Sequence, residues 1–261
     1  NMDMAKLDEV ITPRVRAIVP VHLNGRACDM ARLQDIERKH GVLVVEDCAQ
    51  ALGARFSGQM VGSFGRAGCF SLYPFKMLGA FGDGGMVTTD DPVLAKTVSR
   101  LRDYGEDRET GEVLYFGFNS RLDNLQAAVL NVKLKYFPAW VERRRAIAGL
   151  YRAGLSDLPQ IVVPHFPGEA WSDVYMNYAV RAERRDALAV YLKTRGVEPL
   201  LPISLATPVH RHKMLKLERF SLPVTDRLAQ DFLYLPISPE LNDEQIRYVI
   251  RCVMDFYQRP A

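Results

Sequence analysis

Short apolar runs recur at regular intervals along the first half of the chain. They predict strands at residues 17–21, 42–45, 68–73 and 86–89, and segments of helical periodicity separate several of them. Strands joined by crossover helices are typical of an α/β protein with a mostly parallel sheet and flanking helices. We therefore expect this fold class for the first half.

One helix between the first two strands is defined at both ends. Met30, Leu33 and Ile36 recur at helical spacing, so they predict one buried face. Asp29 can cap the first turn and Gly41 can end the helix.

A polar, glycine-containing segment at 106–118 is longer than a simple connector, and loops of this kind are often functional. A long helix is predicted from Leu122 onward. Its apolar stripe would consist of Leu125, Val129 and Val132.

From about Trp140 the pattern changes to a mixture of helices and strands. Helices are predicted at 142–154, 184–195 and 243–257, and a strand near 175–180. We interpret residues 1–138 as part of a larger α/β domain and residues 139–261 as a smaller α+β C-terminal domain.

Composition excludes several classes of partner. The net charge of +3 comes from 34 basic and 31 acidic residues that are dispersed along the chain, so no basic stripe predicts nucleic-acid binding. No apolar stretch approaches the roughly 20 residues of a membrane helix, and the first residues lack a signal-peptide pattern. We expect a cytoplasmic protein without a membrane partner.

The cysteines and histidines predict neither disulfides nor a metal site. The four cysteines are widely spaced without a CxxC pair, which favours reduced core thiols. His210 and His212 lack accompanying ligands at metal spacing, so no metal is expected.

Two residues are candidates for chemistry. Asp47 ends a predicted strand, where ligand sites of open α/β sheets lie, although an aspartate at a strand end more often caps the following turn. Lys76 lies in an apolar loop punctuated by proline and glycine; such surroundings favour the neutral, nucleophilic form of an amine. An isolated lysine is more often simply solvated, so the neighbouring residues decide.

Three neighbouring motifs supply that context. EDCAQ (46–50), SLYPFKMLG (71–79) and GDGG (82–85) occur in this order. Together they resemble the signature of the nucleotide-sugar aminotransferases, the DegT/StrS-type family of fold-type I pyridoxal-phosphate enzymes. FNSRLD (118–123) and RRDALAVYLKTRGV (184–197) also resemble family segments, so the likeness covers nearly the whole chain.

The resemblance implies pyridoxal 5'-phosphate as cofactor and 1–138 as part of the domain that binds it. Lys76 would bond covalently to the cofactor and shuttle a proton, and Asp47 would pair with the protonated pyridine nitrogen. Gln50 would hydrogen-bond the phenolic oxygen, and Ser71 the phosphate.

The resemblance further implies a homodimer. Asn119 matches an asparagine that reaches the phosphate of the neighbouring subunit in the family, although a helix cap is the alternative interpretation. Arg121 could contact a carboxylate or phosphate, or lie exposed at a helix start. His22 and His210 resemble positions near the pocket, but we do not assign them to the site.

The chain begins at a point that resembles the interior of the family's large domain. The N-terminal part of the family pattern, which supplies further phosphate contacts, a stacking aromatic and several strands, is missing. We expect that the sequence belongs to a longer polypeptide; the alternative is a short product with defective cofactor binding.

The predicted activity is transfer of an amino group, with L-glutamate as the expected donor, to a keto group of a nucleotide-linked deoxysugar. Related dehydratases carry histidine in place of the lysine, so Lys76 argues against that branch. The alternative is a non-catalytic supporting subunit or a nucleotide-sugar-binding relative.

Overall fold

The computed structural model describes residues 1–166, 168–201 and 207–258. These residues form alternating helices and short strands. The helices are α1 (Met4–Val10), α2 (Met30–His40), α3 (Pro92–Leu101), α4 (Asn124–Leu134), α5 (Phe137–Leu155), α6 (Arg185–Thr194), α7 (Pro223–Asp231) and α8 (Asp243–Gln258). The strands are β1 (Ala17–Ile18), β2 (Leu43–Asp47), β3 (Arg55–Phe56), β4 (Gln59–Met60), β5 (Ala67–Ser71), β6 (Gly85–Thr88), β7 (Ile161–Val162), β8 (Trp171–Ser172), β9 (Tyr178–Ala182) and β10 (Phe232–Leu235).

A four-stranded sheet of order β1-β2-β5-β6 organises the first part of the described chain. β1, β2 and β5 run parallel, and β6 pairs antiparallel with β5. The predicted α/β class with a mostly parallel sheet is therefore confirmed. The predicted first strand is interrupted after Ile18, and pairing resumes only at Val21, because Pro20 has no N–H to donate.

Helix α2 forms as the sequence predicts. The Asp29 carboxylate accepts the N–H of Arg32 at 3.1 Å, and Met30, Leu33 and Ile36 are buried. Gly41 ends the helix at a φ of 64°, in the left-handed region that glycine adopts without steric cost.

Helix α4 differs from its prediction. It begins at Asn124, two residues after Leu122, and its buried residue is Leu130, whereas Leu125 and Val132 are exposed in this chain. Val129, the third residue of the predicted apolar stripe, is half-buried, so the stripe as a whole does not form a buried face. Polar residues of this helix face a neighbouring loop instead, and periodicity of apolar residues does not detect such a face.

The described residues form two compact units. The first comprises Asn1–Val141 and a returning segment that ends at Met176; the second comprises Glu142–Phe166 and the residues from Asn177 onward. The second unit contains an antiparallel sheet of order β10-β9-β7. The domain boundary after residue 138 stays a prediction.

Among the described residues, no helix combines the length and apolar character that crossing a membrane requires.

Candidate active site

The carboxyl ends of β2 and β5 meet at one edge of the parallel sheet. Asp47 is the last residue of β2 and lies opposite Cys69 of β5. Ser71 ends β5 two residues further along. The structure therefore brings these two predicted site residues to the same edge, where open α/β sheets bind ligands.

Two backbone hydrogen bonds hold Asp47 to the segment 20–22. Its N–H donates to the Pro20 carbonyl at 2.9 Å, and its carbonyl accepts the N–H of His22 at 3.0 Å. Its side-chain Oδ1 accepts the Ala49 N–H at 3.0 Å, which is the turn-capping contact that the sequence also allowed. That contact uses one carboxylate oxygen, so a second interaction can be made by Oδ2.

Gln50 is held in a defined orientation three residues later. Its Oε1 accepts the N–H of Asn24 at 2.8 Å. Because the oxygen is engaged in this way, the amide NH₂ group points in another direction and can donate to an acceptor.

Lys76 lies half-buried in a closed loop after β5. The backbone N–H of Lys76 donates to the Tyr73 carbonyl at 2.8 Å. The backbone N–H of Ala80 donates to the Leu72 carbonyl at 2.8 Å, which closes the loop. A Cβ on Gly79 would lie 2.2 Å from the Pro74 carbonyl oxygen, so this close approach requires glycine.

Asn119 is exposed, and its backbone pairs with Asp103 in an isolated antiparallel bridge. The alternative that Asn119 caps a helix is wrong, because α4 begins five residues later with Asp123 as its N-cap residue. Arg121 pairs with the Asp103 carboxylate, and its guanidinium lies 5.1 Å from the Tyr104 ring centroid. Arg121 is exposed three residues before α4, as one of its two alternatives predicted, and the carboxylate that it contacts belongs to its own chain.

A buried polar network that the sequence analysis missed lies beside Asp47. Glu46 is 0% exposed, and its two carboxylate oxygens accept four hydrogen bonds. Oε2 accepts from His22 Nε2 at 3.0 Å and from the Gly62 N–H at 2.7 Å; Oε1 accepts from the N–H groups of Phe64 at 2.8 Å and Gly65 at 2.9 Å. This residue ties the 62–65 loop to the strand that ends in Asp47.

The protonation of this network follows from its hydrogen bonds. The Cys28 N–H donates to His22 Nδ1 at 3.0 Å, so Nδ1 holds a lone pair and the ring proton lies on Nε2, facing Glu46. Burial opposes ionisation of Glu46, but the hydrogen bonds from His22 and the loop N–H groups outweigh it and lower the pKa of the carboxyl group.

His22, Glu46 and Cys48 place potential metal ligands within 4.8 Å of one another. Both oxygens of Glu46 and both ring nitrogens of His22 already make hydrogen bonds. Burial also raises the pKa of the Cys48 thiol, which disfavours the thiolate that binds metals. The cluster therefore has the features of a satisfied hydrogen-bond network.

The second unit contains a buried histidine and a cavity. His210 is buried, and its Nε2 lies 3.0 Å from Asp226 Oδ1. Among the described residues, a cavity of about 530 Å³ is lined by Gly196, Val197, Glu198, Pro236, Leu241, Glu244, Gln245, Tyr248, Val249 and Arg251. None of the predicted site residues lines it.

Comparison with known families decides the classification. A family model described as the DegT/DnrJ/EryC1/StrS aminotransferase family matches residues 1–254. The chain belongs to this family. The resemblance predicted from the EDCAQ, SLYPFKMLG and GDGG motifs is thereby confirmed.

Individual relatives agree with this membership. A protein of Saccharopolyspora erythraea named erythromycin biosynthesis sensory transduction protein EryC1 is 43% identical over 254 residues, which cover 96% of this chain and 68% of the relative. A dTDP-3-amino-3,4,6-trideoxy-alpha-D-glucose transaminase of Streptomyces venezuelae is 40% identical, covering 99% of this chain and 68% of its own.

A solved structure shares the fold. Crystalline DesV of S. venezuelae, described as a complex with a ketimine intermediate, superposes with a TM-score of 0.92 at 41% identity. The match covers all of this chain and 70% of DesV.

Proposed function

We propose that this protein transfers an amino group to a keto group of a nucleotide-linked deoxysugar, with pyridoxal 5'-phosphate as cofactor and L-glutamate as donor. The observation that carries the proposal is the 40% identity, over 99% of this chain, to an enzyme named as a dTDP-3-amino sugar transaminase. That name favours a 3-keto sugar as the acceptor.

The polar side chains at and near the sheet edge fit pyridoxal phosphate. Asp47 has a carboxylate oxygen beyond the one that accepts from Ala49, Gln50 has a directed NH₂ group, and Ser71 has a hydroxyl proton to donate. A protonated ring nitrogen needs an acceptor, whereas a phenolic oxygen and a phosphate need donors. Lys76 is half-buried and lies in the loop that follows Ser71.

When bound, pyridoxal phosphate supplies an electron-poor ring that accepts electrons from a neighbouring carbon. Asp47 would hold a proton on the ring nitrogen, and this charge keeps the ring electron-poor. Gln50 and Ser71 would orient the ring through its phenolic oxygen and its phosphate. Lys76 Nζ would bind the cofactor covalently and, once displaced, take and return the proton at the substrate carbon.

A second copy of the chain is part of the proposal. Asn119 is exposed and lies in the FNSRLD segment, so it is available to contact a neighbouring subunit. We also propose a cytoplasmic location, in keeping with four free cysteines, three of which are buried.

The activity is tested by incubating the purified protein with pyridoxal phosphate, L-glutamate and a panel of 3-keto and 4-keto nucleotide sugars. We expect an amino sugar nucleotide and an equal amount of 2-oxoglutarate, with 3-keto acceptors preferred. The Lys76→Ala variant should form neither product. Turnover by this variant at the parent rate would overturn the assigned role of the lysine.

A supporting or regulatory role is the second candidate, because the relative at 43% identity is named a sensory transduction protein. Failure of the parent protein to aminate any acceptor of the panel, while cofactor binding is intact, would favour this candidate.

A further inference from the structure

One face of α4 carries two polar side chains that contact the loop following Lys76. Gln126 and Lys133 are seven residues apart, which is about two helical turns, so they share a face of the helix. Both are half-buried, unlike the exposed Leu125 and Val132 of the same helix. This arrangement explains why the apolar periodicity of α4 did not predict its packing.

Each side chain makes a hydrogen bond to the backbone of the loop. Gln126 Oε1 accepts the N–H of Phe81 at 2.8 Å. Lys133 Nζ donates to the carbonyl of Gly79 at 2.7 Å and lies 5.0 Å from the Phe81 ring centroid. The two contacts therefore fix the loop at positions 79 and 81.

These fixed positions are close to Lys76 in the chain. Gly79 is only three residues after the lysine, and it packs so closely against Pro74 that a Cβ would meet the Pro74 oxygen at 2.2 Å. The Ala80 N–H donates a hydrogen bond to the Leu72 carbonyl. A displacement at Gly79 would therefore be transmitted to both ends of the short segment that carries Lys76.

The helix itself is anchored to the same region. A Cβ on Gly84 would lie 3.0 Å from the Leu122 side chain, so the segment leading into α4 packs against the GDGG motif (82–85). The N–H of Ser120 donates to Arg102 O at 2.9 Å, which holds this segment to the end of α3.

We propose that Gln126 and Lys133 are positioning residues that hold the Lys76 loop, and with it the Lys76 amine, in the orientation needed to capture pyridoxal phosphate. This inference rests on the proposed function of Lys76. Neither residue needs to contact the cofactor. Their effect is exerted through the Gly79 carbonyl and the Phe81 N–H.

The test compares variants that remove a hydrogen bond with variants that keep it. Gln126→Leu removes the acceptor, whereas Gln126→Glu retains one; Lys133→Met removes the donor but keeps the apolar stem, whereas Lys133→Arg retains a donor. Matched controls are Asn131→Leu on the same helix and Lys135→Met at its C-cap, because both parent residues are exposed.

Two measurements are made on each purified protein. The first is the pyridoxal phosphate concentration that gives half-maximal borohydride-trapped label at Lys76. We expect this concentration to rise about three- to tenfold in Gln126→Leu and Lys133→Met, the range expected for loss of one hydrogen bond, and to return towards the parent value in Gln126→Glu and Lys133→Arg. The controls should equal the parent.

The second measurement is hydrogen exchange of the peptide that contains Phe81. We expect faster exchange in Gln126→Leu, since the amide loses its acceptor. Faster exchange and a lower melting temperature without any change in half-maximal labelling would overturn the positioning role and leave only a stabilising one. If the parent protein itself is not labelled at Lys76, the proposed function of Lys76 fails and the positioning role, which depends on it, fails with it. If the parent is labelled at Lys76 and every variant reaches half-maximal labelling at the same pyridoxal phosphate concentration as the parent, only the positioning role is refuted.

Discussion

Replacing Glu46 by glutamine tests the buried network beside Asp47. The substitution keeps the shape of the side chain but exchanges one oxygen for an NH₂ group. If the NH₂ group replaces Oε1, it faces the N–H groups of Phe64 and Gly65; if it replaces Oε2, it faces the Gly62 N–H and His22 Nε2–H. Two donors lose their acceptor in either orientation.

The imidazole cannot relieve this conflict without a further loss. His22 could move its proton to Nδ1 and accept with Nε2, but Nδ1–H would then face the Cys28 N–H. A hydrogen bond to a charged acceptor contributes about 1.5 to 3 kcal/mol net, and Glu46→Gln disrupts two of them. We therefore expect Glu46→Gln to lower the free energy of unfolding by about 3 to 6 kcal/mol at pH 7.

Urea unfolding of the parent, Glu46→Gln and Glu9→Gln measures this difference. Glu9 is exposed in α1, so its substitution should change the free energy of unfolding by less than about 0.5 kcal/mol. A Glu46→Gln protein within about 1 kcal/mol of the parent, at an unchanged m-value, would refute the reasoning.

The stability difference between the parent and Glu46→Gln should depend on pH. Despite burial, hydrogen bonds hold the pKa of Glu46 below its ordinary value of 4.5. The stabilisation is therefore present above pH 4.5 and is lost as the pH falls through the lowered pKa, where the folded protein must bind a proton. The difference in unfolding free energy between the parent and Glu46→Gln should narrow as the pH falls below 4.5. A difference that widens in acid would contradict the assigned charge.

Two further substitutions test local features. Gly79→Ala would place a Cβ 2.2 Å from the Pro74 oxygen, so we expect a loss of about 2 kcal/mol or more in unfolding free energy and weaker labelling of Lys76; a neutral effect in urea unfolding would mean that the close approach is not required. Asp29→Ala removes the acceptor for the Arg32 N–H at the start of α2 and should cost about 1 kcal/mol in the same assay; a change below about 0.3 kcal/mol would show that the cap contributes little.

The sequence predicted those parts of the fold that local chemistry determines. Helix α2 formed as predicted because its apolar face, its capping aspartate and its terminal glycine are all local, within the helix or directly next to it in the sequence. The start of α4 and its polar face were not predicted, because Gln126 and Lys133 take their partners from a loop more than 40 residues away in the chain.

The burial of Glu46 could have been predicted from the sequence. Val42, Val44 and Glu46 alternate with exposed or half-buried positions, so a carboxylate stands where strand periodicity places an inward-facing apolar residue. Such a position indicates a buried, hydrogen-bonded charge. Its partner His22 lies 24 residues away, and only the register of the parallel strands brings the two together.

The central claim, that Lys76 carries the cofactor, is tested most directly by borohydride reduction of the purified protein with pyridoxal phosphate, followed by peptide mapping. We predict a stable phosphopyridoxyl group on Lys76 in the parent protein and its loss in Lys76→Arg. Label on a different lysine, or equal labelling of the Lys76→Arg variant, would contradict the account.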